Sequence, residues 1–356
     1  MGEGKRMKYQ PTEDHISICG RTISREGTLY LGYSCTGIVF TCVTKKVKAR
    51  LWSNANQWED HLKAVVAIFI NDRFYKRLVL NEIEADYVLY EAEELAPIKL
   101  SLVKLSEAAF ATVGIKEIDI EGSNKSCKVP DKTRKIEFIG DSITCGYGIE
   151  GEWNKSTFNT REENPWEAYA ASTARNLDAD YHLICWSGNG VISGWTETGV
   201  ISDECLMPEL YEYTDLGLEK ALGVSNYEKW DSSRFKADCV VINLGTNDAS
   251  YTKGQKDRIA AFGKCYYEFL KRIREKQPTA YIVCTLGVMG ADLYPEIEAQ
   301  VEHFKQQEKD ERVATMVFDL QEEGDGIGTD WHPSLLTQRK MAEQLTNKLK
   351  SLLSWI

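Results

Sequence analysis

Much of what this 356-residue chain can be is settled by what it lacks. It has no run of about 18 apolar residues, so no stretch could cross a bilayer as a helix. Positive charge is in deficit: 43 Lys and Arg stand against 54 Asp and Glu, a net charge of -11. With no basic stripe to offset that balance, neither nucleic acid nor an anionic membrane surface is expected as a partner. Ten cysteines are present but never as Cys-x-x-Cys, which removes the cysteine-based metal sites. Several, such as Cys239 and Cys284, sit inside apolar strand patterns where a thiol packs as a small hydrophobe, so a reducing compartment is expected. The opening residues, Met1 to Gln10, carry charge with no apolar stretch behind it and do not read as a signal peptide. A cytoplasmic location is the expectation, with secretion requiring a leader already removed. The Gly-x-Ser-x-Gly elbow is absent, which argues against the lipase-type α/β-hydrolase fold. Histidine is scarce as well, at five residues.

What is present falls into two patterns. Residues 1–125 carry short alternating or apolar runs: Thr28–Leu31, Gly37–Val43, Val47–Trp52, Ala64–Ile70, Phe74–Leu80, Asp86–Tyr90 and Ile115–Ile120. Turn signals such as Asn71-Asp72 separate them, and together they predict an all-β jelly-roll sandwich without a catalytic constellation, hence an accessory domain. The polar stretch Gly122 to Lys132 is the expected boundary. Residues 126–356 alternate strand and helix patterns. Five mostly continuous apolar strands, 136–140, 181–186, 239–244, 281–286 and 315–319, predict a parallel, doubly wound sheet. Helices are expected from Asn164-Pro165 onward, along Ile259, Phe262, Tyr266, Phe269 and Ile273, and along Met341, Leu345, Leu349 and Leu352.

In such a sheet the ligand crevice lies at the carboxyl ends of the strands. The first strand stops at Gly140 and delivers Asp141-Ser142, a nucleophile candidate that reads equally as a helix N-cap pair. The second ends in Trp186-Ser-Gly-Asn-Gly190, whose glycines let backbone N–H groups face a ligand. The third ends in Gly245-Thr-Asn-Asp248, which carries the Asn247 carboxamide or simply closes an Asx-turn. After the fifth comes Gly324 to Ser334, holding Asp330, Trp331 and His332. Elimination points to His332 as a base: His15 and His61 belong to the β-domain, His182 lies within a strand and His303 on a charged helix. These are the parts of acyl transfer from an ester. Ser142 attacks, His332 moves the proton, an acid orients the imidazole, and the Ser142 and Gly190 N–H groups with Asn247 meet the oxyanion. Gly146-Tyr-Gly-Ile-Glu-Gly151 matches a dinucleotide fingerprint in letters only, because it neither leaves the strand nor opens a helix.

Gly140-Asp-Ser-Ile-Thr144, the glycine of Ser187-Gly-Asn-Gly190, Gly245-Thr-Asn-Asp248 and Asp330-Trp-His-Pro333 occur in order and resemble the four blocks of the SGNH, or GDSL, hydrolases. With a jelly roll ahead of them, the chain is similar to carbohydrate esterase family 2, which removes acetyl groups from plant polysaccharides, often at a sugar's 6-hydroxyl. The resemblance implies flavodoxin-like strand order, an acetylated glycan as substrate, and no metal or cofactor. It also exposes a departure. The acid that usually stands three residues before the histidine is replaced by Thr329, with Asp330 two before. Asp330 is therefore the expected orienter, against a Ser–His dyad held by a backbone carbonyl, a device this esterase family uses. Gly190 is preferred over Gly188 because the family's glycine lies several residues beyond its strand. Trp331, Tyr147 and Trp195 are candidates to present aromatic faces to a sugar. The competing readings are a general GDSL esterase or thioesterase for lipid or acyl carriers, and a glycan-binding protein without turnover.

Overall fold

A computed structural model of the chain describes residues 5–122 and 126–355. The chain divides into two compact units, the first comprising Met1–Asp131 with 159–161 and 217–225, the second comprising the remainder. The boundary thus falls at Asp131, within the polar stretch, of which residues 123–125 lie outside the described residues.

The first unit carries β1 (Lys5–Tyr9), β2 (Ser17–Cys19), β3 (Thr22–Arg25), β4 (Thr28–Leu31), β5 (Gly37–Ser53), β6 (Val65–Ile70), β7 (Arg73–Val79), β8 (Glu84–Lys104), β9 (Val113–Gly122) and β10 (Cys127–Lys128). They form one antiparallel sheet in the order β3-β4-β9-β5-β8-β6-β7, with β1 against β9 and β2 and β10 against β5. The sheet is curled and jelly-roll-like around a core that includes Phe40, Leu51, Ile68, Leu100 and Ile118. Two of the sequence runs, 37–43 and 47–52, are a single 17-residue strand, β5. They look separate because the register slips at Thr44–Lys46, where the Thr44 hydroxyl bonds both Lys46 and the Glu121 carbonyl. This is a β-bulge, which breaks the alternation without ending the strand.

The second unit holds β11 (Arg134–Gly140), β12 (Ala179–Cys185), β13 (Cys239–Asn243), β14 (Tyr281–Gly287) and β15 (Val313–Phe318). Its helices, with one straddling the first unit, are α1 (Ser142–Cys145), α2 (Tyr169–Asn176), α3 (Met207–Leu210), α4 (Leu216–Ala221), α5 (Thr246–Thr252), α6 (Lys256–Lys276), α7 (Tyr294–Glu308) and α8 (Leu335–Leu353). The strands are parallel in the order β12-β11-β13-β14-β15, the flavodoxin-like order. All five residues of β13 are buried, as expected of a central strand covered on both faces. Helix α2 packs against α8, and α6 against α7. The Pro165 helix begins later than expected: residues 165–168 form turn and bend, and α2 starts at Tyr169.

Register explains why the strand ends can work together. Gly140 lies level with Cys185 on one side and with Asn243 on the other. The segments leaving β11, β12 and β13 therefore emerge side by side.

Candidate active site

Asp141 caps a helix as read, and the same turn sets the candidate nucleophile Ser142 against the candidate base. Asp141 is the N-cap of α1, its Oδ1 accepting the Ile143 N–H at 3.0 Å. Ser142, the first helical residue, is buried, and its hydroxyl lies 2.8 Å from His332 Nε2.

The imidazole is held from its other side, and the expected orienter is corrected here. Nδ1 lies 3.1 Å from the carbonyl oxygen of Thr329, which also accepts the His332 backbone N–H at 3.1 Å. Asp330 is exposed and turned away, its Oδ2 accepting the Tyr147 hydroxyl at 2.9 Å. The cause is backbone conformation: Asp330 and Trp331 adopt positive φ, 53° and 67°, in succession. That turn directs the Thr329 carbonyl at the ring and carries the Asp330 carboxylate outward. Because a carbonyl oxygen can only accept, Nδ1 carries the hydrogen, and Nε2 is left with a lone pair facing the Ser142 hydroxyl. Gly148 makes the arrangement possible. Its carbonyl accepts the Thr329 N–H at 3.1 Å, its φ is +59°, and a Cβ there would lie 2.7 Å from that of Thr329.

Loss of solvent around the half-buried imidazole pushes its pKa down to about 4, against the opposing pull of the Thr329 carbonyl and the Asp330 charge. The ring is therefore neutral and basic throughout the neutral range. With Asp330 acting only through space, Asp330→Asn should lower kcat/KM by less than about tenfold. Loss of an acid bonded directly to the imidazole typically costs about 10⁴-fold. Steady-state kinetics on any simple acetyl ester distinguishes the two.

Asn247, the second residue of α5, is buried in the same cluster. Its Nδ2 lies 3.0 Å from the Asn189 carbonyl oxygen and 3.2 Å from Asp141 Oδ2. An oxyanion would draw the hydrogen on the longer of these bonds.

The same geometry corrects the glycine. In a trans peptide the carbonyl and the following N–H point opposite ways. The Asn189 carbonyl points at Asn247, so the Gly190 N–H points away from it. Gly190 is also walled in, a Cβ there lying 2.2 Å from the Ser193 carbonyl oxygen and 2.5 Å from Asp248 Oδ2. Gly188 instead has open space at its Cβ position.

The aromatic candidates separate. Tyr147 is no free platform: its ring stacks on Phe158 at 3.9 Å and abuts His332 at 4.4 Å, forming a wall for the base. Trp331 meets Trp153 edge-on at 4.3 Å, and its carbonyl is held by Gln321. The Trp195 side chain is exposed, and its main-chain N–H donates to the Gly188 carbonyl at 2.7 Å. Sequence reasoning missed Trp153 and Phe158, and offered a backbone carbonyl as the alternative orienter without placing it at Thr329. That placement had one legible trace, the absence of a carboxylate at the position where the resemblance led one to expect it.

Residues 138–340 match the model of the GDSL-like lipase/acylhydrolase family. The cellulase/esterase CelE of Acetivibrio thermocellus is 38% identical over 261 residues, 72% of this chain but only 30% of that protein. An acetylxylan esterase/glucomannan deacetylase of Cellvibrio japonicus is 26% identical over 97% of this chain and 90% of its own length. The structure of a family two carbohydrate esterase from Clostridium thermocellum in complex with cellohexaose superposes with a TM-score of 0.84 at 30% identity, covering 96% of this chain and all of that one. The chain accordingly belongs to the GDSL-like lipase/acylhydrolase family and, within it, to the family two carbohydrate esterases.

Proposed function

We propose that the protein is a serine esterase that removes O-acetyl groups from plant-type polysaccharides or oligosaccharides through an acyl-enzyme, with Ser142 and His332 as a dyad. The observation that carries this reading is the 2.8 Å contact between Ser142 Oγ and a His332 Nε2 whose tautomer is fixed by the Thr329 carbonyl. Nε2 takes the hydroxyl proton as Oγ attacks the acetyl carbonyl, then returns it to the departing sugar hydroxyl. Water repeats the sequence to release acetate. The Ser142 and Gly188 N–H groups and the Asn247 amide are the oxyanion donors in this account. The positive charge that develops on the imidazole is met by the Thr329 carbonyl dipole.

The substrate class is supported by the names of the relatives, an acetylxylan esterase/glucomannan deacetylase and an esterase bound to cellohexaose. The half-exposed Trp331–Trp153 pair and exposed Trp195 give apolar faces of the kind sugar rings pack against. Cys239 and Cys284, buried within apolar strands, behave as small hydrophobes and support a reducing compartment, which suits deacetylation of imported oligosaccharides. Acetate release from acetylated xylan and glucomannan, compared with nitrophenyl esters of increasing acyl length, tests the reading. Preference for the acetylated glycans is expected; turnover that rises with acyl length would assign the site to lipid or acyl-carrier substrates, and no turnover of any ester would leave a binding protein.

A further inference from the structure

A buried acidic side chain beside the oxyanion donors takes no part in the steps above. Asp248 is fully buried and follows Asn247 directly on α5. Its Oδ1 accepts three successive main-chain N–H groups, from Val191 at 2.9 Å, Ile192 at 2.8 Å and Ser193 at 3.1 Å, and Oδ2 lies 3.1 Å from the Val191 nitrogen. Consecutive amides converging on one anion form a nest, and each bond is stronger when the acceptor carries full charge. The gripped segment is the one that matters for the oxyanion. Its Asn189 carbonyl holds the Asn247 amide, and Gly188 lies two residues before the space that the Asp248 carboxylate takes up beside Gly190. One helix start thus sends Asn247 toward the reacting carbonyl and Asp248 into the loop carrying the other donor.

We propose that Asp248 is a positioning residue whose negative charge fixes the 188–193 loop, and with it the Gly188 donor, so that turnover requires Asp248 to be ionised. The inference rests on the esterase reading above. Burial pushes this carboxyl up to about 6, the bonds from Ile192, Val191 and Ser193 offsetting only part of the effect. The loop offers it main-chain groups alone. From α6 the titratable groups coupled to it are Cys265 and Tyr266, both raised by burial and uncharged at neutral pH. Activity should therefore fall as pH drops through about 6, through protonation of Asp248 rather than of His332, which titrates lower, at about 4.

The test is the pH profile of kcat for the full chain on a chromogenic acetyl ester, from about pH 4 to about pH 8, for wild type and Asp248→Asn. The variant should lose about 10²-fold in kcat at neutral pH with KM within about twofold, and its remaining activity should lack the limb near 6. Retention of wild-type kcat, or an acid limb that stays in place, overturns the proposal. If Asp248→Asn does not fold, wild type decides: the amide resonances of Val191, Ile192 and Ser193 should titrate with the same midpoint as kcat, and a different midpoint overturns it. A wild type inactive on every ester overturns the esterase reading itself, a distinct outcome.

Discussion

Ser142→Ala and His332→Ala should each reduce acetate release by about 10⁶-fold, and the double variant should be no worse than either single one. The non-additivity follows from the geometry. Ser142 Oγ is a weak nucleophile without the neutral Nε2 that faces it at 2.8 Å, and that nitrogen has no other acceptor role in the step. Removing either partner removes the same proton transfer. The test is meaningful here because the base has no bonded carboxylate to take over part of its function: its second nitrogen is committed to the Thr329 carbonyl. Single-turnover rates on an acetyl ester, with thermal melting to show that each variant is folded, give the comparison. Residual activity above about one part in a hundred in either single variant would mean that the pair is not the reacting couple.

Asn247→Ala should cost about 10²- to 10³-fold in kcat with little change in KM, the signature of a donor used only when charge develops on the substrate oxygen. Its amide nitrogen lies between Asp141 Oδ2 and the Asn189 carbonyl, so the substitution also withdraws a donor from a buried carboxylate and a half-buried carbonyl. Some loss of thermal stability should accompany the kinetic loss. Asn247→Asp should be more damaging than Asn247→Ala, since it sets a second carboxylate beside the buried one of Asp141. If Asn247→Asp keeps more kcat than Asn247→Ala, the side chain acts through packing and not through hydrogen-bond donation.

The parallel sheet was legible because its strands are buried on both faces and therefore read as unbroken apolar runs, as in Cys239–Asn243. Ser142, Asn247 and His332 were legible because each follows a strand at the same end of the parallel sheet, the register being level where β11, β12 and β13 end. The long strands of the β-domain were less so. A bulge at Thr44–Lys46 and the Glu-rich run within β8 interrupt the alternation that marks a strand, and pairing between β5 and β8 skips from Thr44–Ala96 to Lys46–Glu91 before resuming. The orienter of the base escaped a side-chain reading altogether, because it is a main-chain carbonyl aimed by two consecutive positive φ values. Residue types carry little information about such a turn when neither position is glycine. The choice between Gly188 and Gly190 needed the direction of one peptide plane, which spacing along the chain does not encode.

The central claim is that Ser142 carries the acetyl group between sugar and water. Rapid-quench mass spectrometry of the enzyme mixed with an acetylated oligosaccharide tests it most directly. The account expects a transient gain of one acetyl group on the peptide containing Ser142, accumulating further in a variant slowed in deacylation and absent in Ser142→Ala. Acetate release with no acetyl on Ser142 at any time, or with the group on another residue, would contradict it.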